Sequence, residues 1–134
     1  MEKEIIYYPN GKVEKEGYLL DGKKEGMWVR YFENGVKEIE MTYKQGELSG
    51  SCCEWYENGQ LAEEGEYRNG AYKVINYWNE QGEQLLINGT GKTIRKFGAT
   101  QGDIYEQYFK EGKFKGEKKI AGVVYGKFIP DRKN

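Results

Sequence analysis

The chain predicts an all-β fold: an elongated, twisted antiparallel β-meander of stacked hairpins, a single repeat domain over residues 1–134. Three observations predict it. Two aromatic residues followed by x-Asn-Gly recur as Tyr7-Tyr8-Pro9-Asn10-Gly11, Tyr31-Phe32-Glu33-Asn34-Gly35 and Trp55-Tyr56-Glu57-Asn58-Gly59, with the glycines 24 residues apart. A second glycine phrase alternates with the first, at Gly22-Lys23-Lys24-Glu25-Gly26 and, 24 residues on, at Gly46-Glu47-Leu48-Ser49-Gly50. No segment keeps an apolar period of 3.6 residues, so little helix is expected.

Asn-Gly between alternating segments signals a hairpin closed by a two-residue type I′ turn, because both central residues need φ > 0. The Gly-x-x-x-Gly phrases then read as wider turns. One unit is strand, tight turn, strand, wider turn, and about ten to twelve short strands follow in chain order. A shorter fourth copy, Trp78-Asn79-Glu80-Gln81-Gly82, comes 23 residues after the third. The regular repeats run over 5–82, with divergent repeats and a cap over 83–130 and a charged tail over 131–134.

In a strand, side chains alternate between faces. With a two-residue turn at Asn34-Gly35, one face carries Trp28, Phe32, Ile39, Met41 and Tyr43. Ile6, Tyr8, Val13 and Leu19 are their counterparts upstream, and Cys52, Tyr56, Leu61 and Tyr67 downstream. This face is expected to be the core. The other face carries Tyr31, Val29, Glu38 and Glu40, with Tyr7, Glu14 and Glu16 before them and Trp55, Ala62 and Glu64 after. A one-residue bulge would swap part of this assignment, and glycine-rich strands favour bulges.

Later strands are expected over 73–78, 83–87, 92–97 and 103–110. The phrase Gly112-Lys113-Phe114-Lys115-Gly116 repeats the wider-turn spacing, and 118–129 is expected to form a last pair turned near Gly122. Pro130 then blunts the end, since proline cannot continue a ladder.

Composition bounds the function. Ile, Leu, Val and Phe make up 26 residues, but 12 Tyr and 3 Trp supply aromatic surface, and the net charge is −1. A repeat structure packs each unit on its neighbours and needs no deep centre. Residues 1–70 hold 15 acids against 9 bases, and residues 71–134 hold 7 against 12. The adjacent Cys52 and Cys53 point to opposite faces of a strand and do not pair, which suggests a reducing, cytoplasmic setting. No signal peptide or membrane span is visible.

The chain has no histidine. That removes the commonest metal ligand and general base, and with them the zinc protease and zinc deaminase signatures. No catalytic residue, metal site or cofactor is expected. Gly89-Thr90-Gly91-Lys92-Thr93 resembles the end of a phosphate-binding loop, but Leu86 stands where its first glycine belongs, and a strand-like run follows. Lys23, Lys24, Lys113 and Lys115 are offset by Glu14, Glu25 and Glu47, which argues against nucleic-acid binding and against membrane contact. The candidate site is instead a row of aromatics, Tyr7, Tyr31, Trp55 and Trp78, flanked by Glu14, Glu38, Glu40 and Glu64. Such rings also stabilise sheets as cross-strand pairs, by tenths to about one kcal/mol each. Aromatics are enriched at interface hot spots, and carboxylates suit a basic protein partner.

The repeated phrases, aromatic-aromatic-(Glu/Pro)-Asn-Gly, then Glu-Gly-Tyr or Glu-Tyr, then Asp/Asn/Gln-Gly-x-x-x-Gly, resemble the MORN-repeat variant family over 7–82 and more loosely over 83–120. The resemblance implies stacked hairpins in a long twisted sheet, a MORN-like solenoid. Bacterial chains of this kind are often labelled YwqK-like antitoxins, which implies an antitoxin or immunity protein bound to a toxin. The alternatives are a scaffold or self-assembly module and a peripheral lipid binder.

Overall fold

The computed structural model describes residues 1–97, 102–124 and 127–130, with side chains described as far as Gly122. Among them the chain forms twelve strands and no helix. The strands are β1 Glu2–Tyr7, β2 Val13–Leu20, β3 Lys23–Tyr31, β4 Lys37–Lys44, β5 Glu47–Trp55 and β6 Leu61–Arg68, followed by β7 Ala71–Trp78, β8 Gln84–Ile87, β9 Thr90–Phe97, β10 Asp103–Lys110, β11 Lys113–Val124 and β12 Lys127–Pro130. They hydrogen-bond in chain order into one sheet, and the first six adjoin one another antiparallel, as do the rest. The expected meander is therefore present, with a changed ending: β11 passes Gly122 without turning and pairs Val124 with Lys127.

The two kinds of turn are the reverse of the expectation. At the Asn-Gly phrase, the Phe32 N–H donates to Val36 O and the Gly35 N–H to Phe32 O, so the loop has three residues, Glu33 to Gly35. Gly35 alone takes positive φ (89°). This is a type I turn closed by a glycine bulge. Asn34 serves through its side chain: Oδ1 accepts from the Val36 N–H, and Nδ2 donates to Glu57 O of the next loop. Asn10 does the same towards Lys12 and Glu33. The two-residue type I′ turns lie elsewhere, at Asp21-Gly22, Gln45-Gly46, Asn69-Gly70, Asn88-Gly89 and Glu111-Gly112. There φ is 49–53° at the first residue and 79–85° at the second.

Each three-residue loop is followed by a bulge. Ile6 pairs with Lys15 but Tyr7 with Val13, which leaves Glu14 over; Glu38, Ala62 and Leu85 are left over in the same way. They stand three residues after Gly11, Gly35, Gly59 and Gly82, so the bulge belongs to the repeat. An extra residue shifts the alternation behind it.

Directly paired residues share a face. The register Trp28–Met41–Cys52–Gly65–Val74 thus defines an inner face. Val29–Glu40–Cys53–Glu64–Asn76 defines the outer one. Trp28 is 2% exposed and lies flat across Gly17, where a Cβ would stand 2.2 Å from the ring. Its indole N–H donates to Tyr18 O at 3.0 Å.

The regular stack ends at β8, which has four residues where β6 has eight. β8 holds β9 through Leu86–Gly91 and Ile87–Thr90 only. Gly91 approaches the Leu85 carbonyl so closely that a Cβ would lie 2.1 Å from the oxygen, at φ +131°. Beyond it, β9 comes against the strands before it. Tyr77 donates its hydroxyl proton to Ile94 O, and the Arg95 Nη1 donates to Glu63 Oε1 at 2.6 Å. Buried Val74, Tyr77 and Leu86 form the core here, with Leu85, Ile94 and Phe109 packed on it. This corner is a local centre that the expectation of a thin ribbon lacked.

Candidate functional site

Tyr7, Tyr31, Trp55 and Trp78 each end a strand and pair with Val13, Lys37, Leu61 and Gln84 respectively. The bulges keep them on the outer face. Tyr7 is 57% exposed, and the other three are half-buried. The Tyr31 hydroxyl donates to Glu16 Oε2 at 2.8 Å; burial, then this bond, hold the phenol up at about 12. Lys37 Nζ lies 2.9 Å from Glu40 Oε2 and 5.5 Å over the Trp55 ring. Glu64 accepts from Asn76 Nδ2 at 3.0 Å. The structure therefore brings Tyr7, Tyr31, Trp55, Trp78, Glu40 and Glu64 to one face.

Glu14 and Glu38 do not join them. Both are bulge residues and both ion-pair with Arg30, at 3.2 and 3.5 Å. Arg30 pairs with Ile39 on the inner face. The same bulges correct three apolar assignments. Val13 and Leu61 stand opposite Tyr7 and Trp55 on the outer face, whereas Ala62, expected outside, is 8% exposed and lines an inner cleft.

That cleft, of about 550 Å³, lies where β5 and β6 meet the β9 corner. Phe32, Tyr56, Tyr77 and Ile94 line it, together with Glu54, Glu63 and Arg95. Glu63 is 4% exposed, and its charge is matched by Arg95 and by the Tyr72 hydroxyl, which donates at 2.6 Å. Glu54 stands directly opposite Glu63. Burial first, and then the Glu63 charge, push the Glu54 carboxyl above its ordinary range. Sequence reasoning passed over both carboxylates. The signal was parity: Glu54 shares the face of Cys52, which was assigned to the core.

Cys52 is buried and Cys53 half-buried. Burial pushes the Cys52 thiol up to about 12 and raises Cys53 too, so neither is a ready thiolate. Gly89 closes the Asn88-Gly89 type I′ turn and residues 90–93 already belong to β9, which leaves no helix N-terminus to cradle a phosphate. No helix among the described residues is long and apolar enough to cross a membrane.

Residues 3–21, 24–45 and 48–69 match the MORN repeat variant. Each match spans a hairpin of β1–β6 together with its three-residue loop. No curated protein and no solved structure matches the chain.

Proposed function

We propose that this chain, which carries three consecutive MORN-variant repeats over its first half, is a non-enzymatic protein-binding module. Its most concrete form is an antitoxin or immunity protein that binds and neutralises a basic toxin. The observation that carries the reading is the outer aromatic row. Tyr7, Tyr31, Trp55 and Trp78 recur at one position of successive repeats, stay open to solvent in part, and stand beside Glu16, Glu40 and Glu64. Aromatic rings on a rigid sheet supply contact area at low entropic cost, and the carboxylates steer a cationic surface onto them. The toxin assignment rests on the repeat likeness. Co-expression with a toxic product of the neighbouring gene tests it: growth is rescued by the wild type and lost with Trp55→Ala, while the melting transition is kept. A chain that neither binds nor neutralises such a product refutes the antitoxin reading.

A scaffold role is favoured by one separate feature. β1 pairs with β2 alone among the described residues, and it presents Ile5 and Tyr7 at 37% and 57% exposure. An open apolar edge can add another strand. Light scattering over rising concentration reads this: mass growth supports edge assembly, and a constant monomer mass removes it.

A further inference from the structure

We infer that the inner cleft beside β9 receives one cationic side chain, a lysine or arginine carried on an extended segment of the protein partner. This deepens the protein-binding reading and rests on it, but moves the basic contact from the outer row to the inner face.

Two carboxylates of the cleft already have a cation. Glu63 has Arg95 at 2.6 Å, and Glu38 has Arg30 at 3.5 Å. Glu54 has neither a hydrogen bond nor an ion pair among the described residues, although it is partly withdrawn from water and faces Glu63 across the ladder. Like charges directly opposite each other destabilise a sheet pair. Arg95 bonds Glu63 directly and acts on Glu54 only through space, so Glu54 keeps no donor of its own. Lys96, also on the rim, is exposed and makes no ion pair with it.

Shape then selects the occupant. The Phe32 and Tyr56 rings line the same cleft as Glu54. Aromatic faces attract an ammonium or guanidinium and pack against its methylene stem. A second hollow of about 490 Å³ shares Phe32, Trp55, Tyr56 and Glu80 with the first and is lined further by Glu57 and Asn58 of the adjoining loop. It offers a course for the rest of the segment. A bare metal ion fits less well, because no cluster of three or more carboxylate or thiol ligands converges among the described residues.

The test titrates the ¹⁵N-labelled chain with tetra-arginine, tetra-lysine and tetra-glutamate peptides at low salt. Saturable shifts at Glu54 and Tyr56 are expected from the two cationic peptides and none from the anionic one. Glu54→Gln should weaken binding about tenfold. Glu47→Gln, at the far end of the same strand, should change it less than about twofold. Phe32→Leu, which keeps an apolar wall, should weaken it about threefold. Shifts that never saturate, that map to Tyr31 and Glu40 instead, or that survive Glu54→Gln overturn the proposal. A partner that binds through Tyr31 and Trp55 and ignores Glu54→Gln leaves the protein-binding reading standing and removes the cleft. Peptide binding in the cleft without neutralisation of any toxin does the opposite.

Discussion

The first repeats and the β6–β9 corner are built from the same phrase and reach stability by different means. In β1–β5, each interior position is one layer deep. Trp28 covers Gly17, and Met41 with Cys52 fills the same position one repeat later. Ion pairs there remain half in water, as Arg30 does at 41% side-chain exposure. At the corner a shortened strand brings β9 against β6 and β7. Leu86 falls to 0% exposure, and a charge pair, Glu63 with Arg95, is taken largely out of water. The sheet thus gains a local core where one strand is cut short and β9 brings Ile94 and Arg95 against the strands before it.

The largest expected break in this contrast is at its two arginines. Arg95→Met leaves Glu63 buried without a cation and should cost about 3–5 kcal/mol in urea unfolding. Arg30→Met, at the exposed pair, should cost less than about 1 kcal/mol. Equal losses would mean that the two regions do not differ in burial as described.

A smaller effect probes the single-layer repeats. Gly17→Ala sets a methyl into the Trp28 ring and should cost about 1–3 kcal/mol, with a changed Trp28 indole resonance. An unchanged indole signal would show that the ring does not lie on Gly17. Smaller again is the loop ladder. Asn34→Ala removes the bond to Val36 and the one to Glu57, and should lower stability by about 1 kcal/mol.

The smallest expected effect has the opposite sign. Glu54→Gln removes a like charge opposite Glu63 and should stabilise the fold by a few tenths of a kcal/mol. The sign has a pH consequence. A carboxyl whose folded pKa is raised binds its proton more readily in the folded state. Its penalty is full above the folded pKa and fades as pH falls towards the ordinary value of 4.5. The gain from Glu54→Gln should therefore be larger at pH 7 than at pH 4.5. A gain that does not vary with pH would show that the carboxylate is not desolvated.

Much of the fold was legible because the signals are local. Asn34-Gly35 and its copies mark hairpins whichever turn they form, and the spacing counts the units. The turn type differs because Asn-Gly suits a type I′ turn and also a type I turn with a glycine bulge; the Glu57 carbonyl that holds the Asn34 side chain belongs to the next loop, 23 residues away in the chain. Tyr7, Tyr31 and Trp55 were legible as a row from their 24-residue spacing, with Trp78 a further 23 residues on. The split of Glu14 and Glu38 from Glu40 and Glu64 was not, because each bulge adds one residue and reverses the parity behind it. Arg95 was invisible as a partner of Glu63, since 32 residues separate them.

The sequence by itself determined where the regular repeats turn and in what order their hairpins follow, because turn signals are read from neighbours along the chain. Tertiary structure alone decided which acids share a face with the rings, where β9 comes against the strands before it and that Glu54 in the cleft has no cation bonded to it. Those outcomes depend on bulge registers and on β9 meeting β6, contacts between residues far apart in the chain.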